Sequence, residues 1–349
     1  MKKGVLLINL GTPDSPSVAD VRKYLREFLM DGRVIDIPWL NRFFLVNGVI
    51  APLRAVSSSK AYHHLWTSDG SPLKYYGIRV KEMLQESLGT EYTVSLGMRY
   101  QNPSLRAALD KLKKENVGEI TVIPLYPQYA SASTGSTIEK VFDELKNWEI
   151  IPSMRCISQF FDHPRFIKAF ARKGEEHLKN RQYDHVLFSY HGLPERQILK
   201  ASRERYCQLN EKCCRSYHVK NQFCYRAQCF ETSRLLAKAL NLEINRYSVS
   251  FQSRLGKEPW IKPYTDEIIK ELAARGYKRV LCFSPSFIAD CLETTVEIGM
   301  EYKNLFLSLG GERWDLVESL NDSPTWIECL KALILEAKPE SVMTANAPY

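Results

Sequence analysis

Three groups of side chains in this chain are of types and spacings that can do chemistry. The first is Asp290, Glu293, Glu297 and Glu301 in DCLETTVEIGME. At about 100° per residue, steps of three, four and four place all four carboxylates on one narrow helical face. Glu293, Glu297 and Glu301 are i,i+4 neighbours, and such like-charge pairs cost an isolated helix roughly 0.2–0.5 kcal/mol each, so a cation is expected to offset them. A solvated acidic face is the plain alternative, but the helix dipole favours acids only in the first turn. A cation path leading inward to Glu293 is therefore the expectation. The second group is a single imidazole: VLFSYHGLPE, residues 186–195, reads as a buried strand that delivers His191 into a Gly-Pro turn. A strand end of that kind presents its side chain to a crevice. A neutral imidazole there can accept a proton or hold a metal. The third group is a run of thiols, with five of the nine cysteines falling between Cys207 and Cys229.

The elements that must position these groups show an internal repeat. Residues 5–14, VLLINLGTPD, match residues 186–195 in their Val-Leu, Gly and Pro, with Leu10 standing where His191 stands. Two similar halves are expected, with the chemistry mainly on the second. Strand-like runs recur at Val5–Asn9, Tyr92–Gly97, Ile120–Leu125, His185–Tyr190, Asn245–Phe251 and Arg279–Ser284. Amphipathic stretches lie between them, such as Pro103–Glu115, Pro164–Lys179 and Glu267–Arg275. This alternation predicts an α/β protein of two doubly wound halves with parallel sheets, and a ligand cleft between them at the carboxyl ends of the strands. EITVIPLYPQY and KRVLCFSPSFI, each running from a strand into a Pro-aromatic turn, strengthen the duplication. The halves are placed at residues 1–145 and 150–330, with a frayed tail at 338–349.

Bulk properties narrow the class. The 349 residues, 44% hydrophobic, suffice for two cores. No apolar run is long enough to span a bilayer, and the start, MKKGVLLINLGTPD, is broken too early for a signal peptide. A cytoplasmic protein is expected, or one peripheral on the inner membrane face, where thiols stay reduced and disulfides are not anticipated. The net charge of +8 favours anionic partners, but no basic stripe interleaved with aromatics points to nucleic acid. Residues 38–53, PWLNRFFLVNGVIAPL, are unusually apolar for a surface and fit either a core helix or a lip that dips into a membrane.

SYHGLP followed by DCLETTVE resembles the ferrochelatase family. NLGTP, GSPL at 70–73, GMRYQNPS at 97–104, YPQYASASTGS at 126–136 and EPWIKPYTDE at 258–267 extend the resemblance in family order over nearly the whole chain. It implies insertion of Fe²⁺ into protoporphyrin IX to give protohaem with release of two protons, the last step of haem biosynthesis. His191 is implied as proton acceptor or metal ligand, Glu293 as its acidic partner, and Asp290, Glu297 and Glu301 as the metal path. The resemblance also implies Arg99 and Tyr100 beside the macrocycle, Tyr62 and Ser71 near the propionates, and Trp260 against the ring. Arg54 is placed as a bidentate partner of a propionate, and residues 38–53 as the lip of the porphyrin cleft. A coproporphyrin III ferrochelatase, a cobalt or nickel chelatase, and a non-catalytic haem or iron-sulfur sensor on the same fold are the competing readings.

Two departures from the family pattern stand out. Cys291 occupies a place where many relatives carry His, and the segment 207–229 is cysteine-rich where most have a shorter, cysteine-poor loop. Family members with a 2Fe-2S cluster usually draw ligands from a C-terminal extension; here only Cys329 lies there, and Ser131 takes the other ligand position. Four thiolates suit such a cluster, and the C-x2-C knuckle usual for zinc is missing. An internal 2Fe-2S cluster on Cys207, Cys224, Cys229 and one of Cys213 and Cys214 is expected, against structural zinc or free thiols.

Overall fold

The computed structural model describes residues 1–336 apart from 255 and 257, so the expected tail at 338–349 lies outside the described residues. Among the described residues, eight strands form two four-stranded sheets. The first comprises β1 Lys3–Gly11, β2 Tyr92–Tyr100, β3 Glu119–Pro124 and β4 Ser153–Cys156; the second comprises β5 His185–His191, β6 Tyr247–Gln252, β7 Arg279–Phe283 and β8 Arg313–Leu316. Their orders are β2-β1-β3-β4 and β6-β5-β7-β8, with every pair parallel. The two sheets thus share one topology. Parallel pairs need crossover connections, which helices supply on both faces, and this buries both sides of the central strands. Val5, Leu6, Leu7 and Ile8 on β1 are accordingly fully buried, as are Leu187 and Phe188 on β5.

The repeated glycine has a steric cause. Gly11 pairs with Tyr100 on β2, and a Cβ on it would stand 2.0 Å from the Tyr100 carbonyl oxygen. Gly192 donates its N–H to the Gln252 carbonyl at 2.8 Å, and a Cβ there would meet that same oxygen at 2.8 Å. Both halves end their first strand by pressing backbone onto the neighbouring strand.

The last described helix, Pro324–Leu335, returns across the molecule to pack on the helices Pro72–Leu88 and Pro164–Asn180. Its open carboxyl end is met by Arg155 of β4, which donates to the carbonyls of Leu333, Ile334 and Glu336 at 3.0, 2.8 and 2.7 Å. A guanidinium there satisfies orphan carbonyls and complements the helix dipole. Phe160, Phe166, Phe170 and Trp326 pack into the large core beneath, which draws residues from both sheets.

Candidate active site

β5 and β7 lie side by side, while β6 lies on the other side of β5, so the order reverses at the carboxyl end of β5. Such a switch point is where open α/β sheets form ligand crevices. His191 is the last residue of β5 and is half-buried there. Its Nδ1 lies 2.6 Å from the Gly192 carbonyl oxygen. A carbonyl only accepts, so Nδ1 carries a proton and Nε2 is the atom left to gain or lose one. The imidazole is flanked by Trp260 and Phe287, with ring centroids at 6.5 and 6.4 Å. Trp260 is brought close because Pro194 and Trp260 bridge in antiparallel fashion.

The carboxylates enter from the segment after β7. Leu292–Tyr302 is wound as a π-helix rather than an α-helix. Wider i→i+5 winding is rare and concentrates at functional sites. Glu293, Glu297 and Glu301 lie on this segment, running from half-buried at Glu293 and Glu297 to exposed at Glu301. Glu297 is held by four donors: the Ser253 N–H at 2.9 Å, the Ser253 hydroxyl, the Gln252 amide at 3.2 Å and the Tyr302 hydroxyl at 3.0 Å. Burial pushes the Glu297 carboxyl up, the Ser253 hydrogen bond and the His191 charge oppose that, and Glu293 adds to it.

Asp290 corrects the expectation of a four-carboxylate face. It precedes the helix, and its carboxylate accepts from the Ser319 N–H at 3.1 Å and the Asn321 amide at 2.7 Å. The turn between β7 and the π-helix is clasped by this pair, so helical spacing does not extend back to residue 290. Cys291 caps the helix, with the Thr294 hydroxyl accepting from the Cys291 N–H at 2.9 Å. Its thiol is pushed well up by burial and then by Glu293.

The first half closes over this face. Tyr24 and Tyr62 stand against the π-helix with Val296 and Leu292 in one apolar cluster. Burial raises both phenols, and the charge of Glu293 raises them further. The remaining pocket residues are dispersed. Ser71 is buried and accepts from the Thr12 hydroxyl at 2.9 Å. Arg99 donates to Asp31 at 2.5 Å and to Ser136 Oγ at 2.7 Å. Tyr100 is fully buried, donates to Asp31 at 2.9 Å and lies edge-on to Phe28. Arg99 and Tyr100 are thus held in a network around Asp31, and Tyr100 presents no surface to a ligand. Arg54 is exposed and makes no ion pair among the described residues.

The ferrochelatase family model matches residues 2–338. The chain belongs to the ferrochelatase family. It is 48% identical over 336 residues to a ferrochelatase of Legionella pneumophila (strain Paris), covering 96% of this chain and 99% of that protein. It is 46% identical over 333 residues to a ferrochelatase of Coxiella burnetii (strain Dugway 5J108-111), covering 94% and 92%. Among solved structures, the sirohydrochlorin chelatase SirB from Bacillus subtilis subspecies spizizenii, in complex with cobalt, aligns at a TM-score of 0.52 and 10% identity over 94% of this chain and 92% of that one. That likeness concerns the fold alone. The protein is an enzyme that inserts metal into a porphyrin, with ferrous iron as its substrate.

Two further regions stand apart from the crevice. Cys207, Cys213, Cys214 and Cys224 pack together beside Tyr206, Ala227 and Phe230. The Cys213 and Cys214 sulfurs lie 3.8 Å apart. Of the adjacent pair, one of which is expected as a ligand, a short helix, Glu211–Cys214, buries both. Cys229, in contrast, sits within the helix Tyr225–Ala239 on its inner face, fully buried near Tyr190 and Tyr225. Among the described residues, no group of three or more His, Cys, Asp or Glu is placed to hold a metal ion. The second region is the apolar stretch. Trp39, Leu40, Phe44, Val49, Leu53 and Val56 are all exposed on helices spanning residues 39–65. No helix among the described residues is long and apolar enough to cross a membrane.

Gln252, Ser253, Tyr302 and Phe287 went unread in the sequence. Polar residues after a strand and an aromatic in a turn carry no type-specific signal there; only the partners they meet give them meaning.

Proposed function

We propose that the crevice at the end of β5 inserts Fe²⁺ into protoporphyrin IX, with His191 and Glu293 as its catalytic groups. One observation carries this reading: Nε2 of His191 and the carboxylate segment beginning at Glu293 share one switch point. Insertion requires a metal brought to one face of the ring and two pyrrole protons removed. An imidazole whose other nitrogen is tied to a carbonyl is oriented to take a proton. Glu301, Glu297 and Glu293 grade from solvent inward and suit the passage of a hard divalent cation. Trp260 and Phe287 offer flat apolar surface for a macrocycle, and Tyr62 packs against the π-helix that carries Glu293. Arg54, free of carboxylate partners in the first half, suits a propionate. The apolar stretch 39–56 favours protoporphyrin over the tetracarboxylate coproporphyrin III. Anaerobic assay with ferrous iron and each porphyrin tests the reading: faster turnover of protoporphyrin IX supports it, and preference for coproporphyrin III overturns it.

For the thiol group we propose a 2Fe-2S cluster that Cys207, Cys213, Cys214 and Cys224 would hold once their side chains turn onto it, since as they pack here they form no metal-binding group. Arg226 supports that assignment. It is 4% exposed, donates to the carbonyls of Lys262 and Asn210 at 3.0 and 3.1 Å, and has no carboxylate partner among the described residues. A buried cation without a counterion is costly, and thiolates supply the missing charge. Hydrogen bonding from Cys224 holds Cys207 and Cys214 down at about 6. When bound, the cluster supplies one-electron chemistry apart from the porphyrin crevice.

The exposed apolar stretch is assigned to reversible contact with a membrane surface, consistent with a peripheral enzyme that collects a sparingly soluble substrate. Co-sedimentation with anionic vesicles should fall on changing Trp39, Phe44 and Leu53 to Ser; unchanged binding would exclude that role.

A further inference from the structure

Gln252 joins both sides of the site through one buried residue. It is the last residue of β6, is 1% exposed and pairs with His191 in the sheet register. Its backbone carbonyl accepts from the Gly192 N–H at 2.8 Å, directly beneath the imidazole. Its side-chain oxygen accepts from the Ser189 hydroxyl at 2.7 Å, which fixes which end of the amide faces which way. Its side-chain nitrogen donates to the Glu293 carbonyl and to the Glu297 carboxylate, both at 3.2 Å. The next residue, Ser253, has φ of 65°, a left-handed conformation that aims its N–H and hydroxyl at the same Glu297 carboxylate. Backbone held this way persists only where its surroundings dictate it, and such positions cluster at functional sites.

We propose that Gln252 is a positioning residue for metal insertion: its single amide, with its own carbonyl, holds the turn carrying His191 and the π-helix carrying Glu293 and Glu297 in one fixed relation. No other described side chain bonds to both Glu297 and the backbone of Glu293. Both N–H donors of the amide are used on the metal path, so nothing else at that spot replaces them. The inference rests on the metal-inserting reading of the crevice, since it assigns Gln252 a role through those carboxylates.

The test separates positioning from simple packing. Gln252→Leu keeps the volume and removes the donors and the acceptor. It should lower kcat/KM for ferrous iron about 10–100-fold, the range seen when groups supporting metal ligands are removed, while KM for the porphyrin stays unchanged. Ser189→Ala, which frees only the carbonyl end of the amide, should shift the iron constants in the same direction by less, and it provides the measurement if the Leu variant does not fold. In a Glu297→Gln background, Gln252→Leu should add little further loss, because residues acting through one contact are not additive. Titration of the porphyrin-free enzyme with Co²⁺, followed by visible absorption, should show weaker metal binding in Gln252→Leu without reference to turnover. Lower thermal stability with unchanged iron constants and unchanged Co²⁺ binding would overturn the proposal, as would a full additional loss on top of Glu297→Gln. A wild-type enzyme that inserts no metal would instead sink the functional reading, and the Co²⁺ titration would still decide the role of Gln252.

Discussion

The two sheets of this molecule share one strand order, yet their crevices are finished in opposite ways. Gln101 follows β2 and Ser253 follows β6, both with φ of 65°, and each donates its backbone N–H and a side-chain group to one carboxylate. In the first half the carboxylate so held is Glu27, and matched charge lies at a separate carboxylate, Asp31. Asp31 accepts from Arg99, Tyr100 and Ser136, burial pushes its carboxyl up but Ser136 and its other partners outweigh that, and the carboxyl ends below its usual range. Leu10 ends the equivalent strand. In the second half the strand ends in His191, and burial outweighs the hydrogen bonds that Glu297 accepts from neutral donors, so its carboxyl sits above its usual range. A duplicated scaffold therefore supplies rigidity twice, while reactivity resides where burial and charge are left unbalanced.

The largest effect should come from making the second half resemble the first. His191→Leu should remove about 10²–10⁴-fold of kcat, the usual contribution of a positioned acid-base group. Leu10→His should confer no second activity, since Leu10 packs into an apolar cluster; metal insertion by a Leu10→His, His191→Leu double variant would break the comparison.

Grading along the π-helix sharpens it. Glu293→Gln should be nearly as damaging to kcat as loss of the imidazole, whereas exposed Glu301→Gln should mainly raise KM for iron. Equal loss of kcat at both positions, measured in the same anaerobic assay, would argue against a directed path.

The cysteines form a contrast within the second half. Enzyme purified without oxygen should be reddish-brown, with about two iron and two acid-labile sulfide per chain. Cys224→Ser should bleach it. Cys229→Ser, in the core, should keep the colour and lower the melting temperature, as should changes at Cys282. Retained colour in Cys224→Ser would remove that ligand from the set.

The smallest effect concerns pH. His185 begins β5, at the place Gly4 holds in β1, so at that matched position only the second half carries a titrating group. Burial lowers His185 to about 4, with Arg275 and Arg246 assisting; its Nε2 meets Ser248 Oγ at 2.8 Å. The unfolded chain takes up this proton near its ordinary value of about 6.5 and the folded chain does not. Stability is thus full above about pH 6.5 and declines toward pH 4 by at most about 3 kcal/mol. Denaturant unfolding of His185→Gln should show a shallower acid decline than wild type, with activity near neutrality unchanged; an identical slope would show that His185 contributes none of it.

Much of this frame was legible in the sequence. The six strands with apolar runs were anticipated within a few residues, because parallel strands buried on both faces have to be continuous hydrophobic runs. β4 and β8 were not, since SMRC and RWDL are four-residue edge strands with too little apolar character to register. His191 announced itself by its Gly-Pro turn. Asp290 misled because helical spacing assumes a helix, and the helix starts two residues later. The thiols misled for a related reason: spacing alone does not reveal that a helix begins at Tyr225 and carries Cys229 into the core while Cys224 stays at its cap. The Gln252-Ser253 cradle was invisible, because its function lies in partners contributed by a distant segment.

The central claim is that the imidazole at the end of β5 performs the chemistry while the rest of the cleft binds. The most direct measurement is anaerobic single-turnover metallation of protoporphyrin already bound to wild-type and His191→Ala enzyme, followed by the absorption change of the macrocycle. His191→Ala should bind the porphyrin as tightly as wild type and metallate it at less than about a hundredth of the rate, as expected for loss of a positioned proton acceptor. Metallation by His191→Ala at a rate close to wild type, with porphyrin binding intact, would contradict the account.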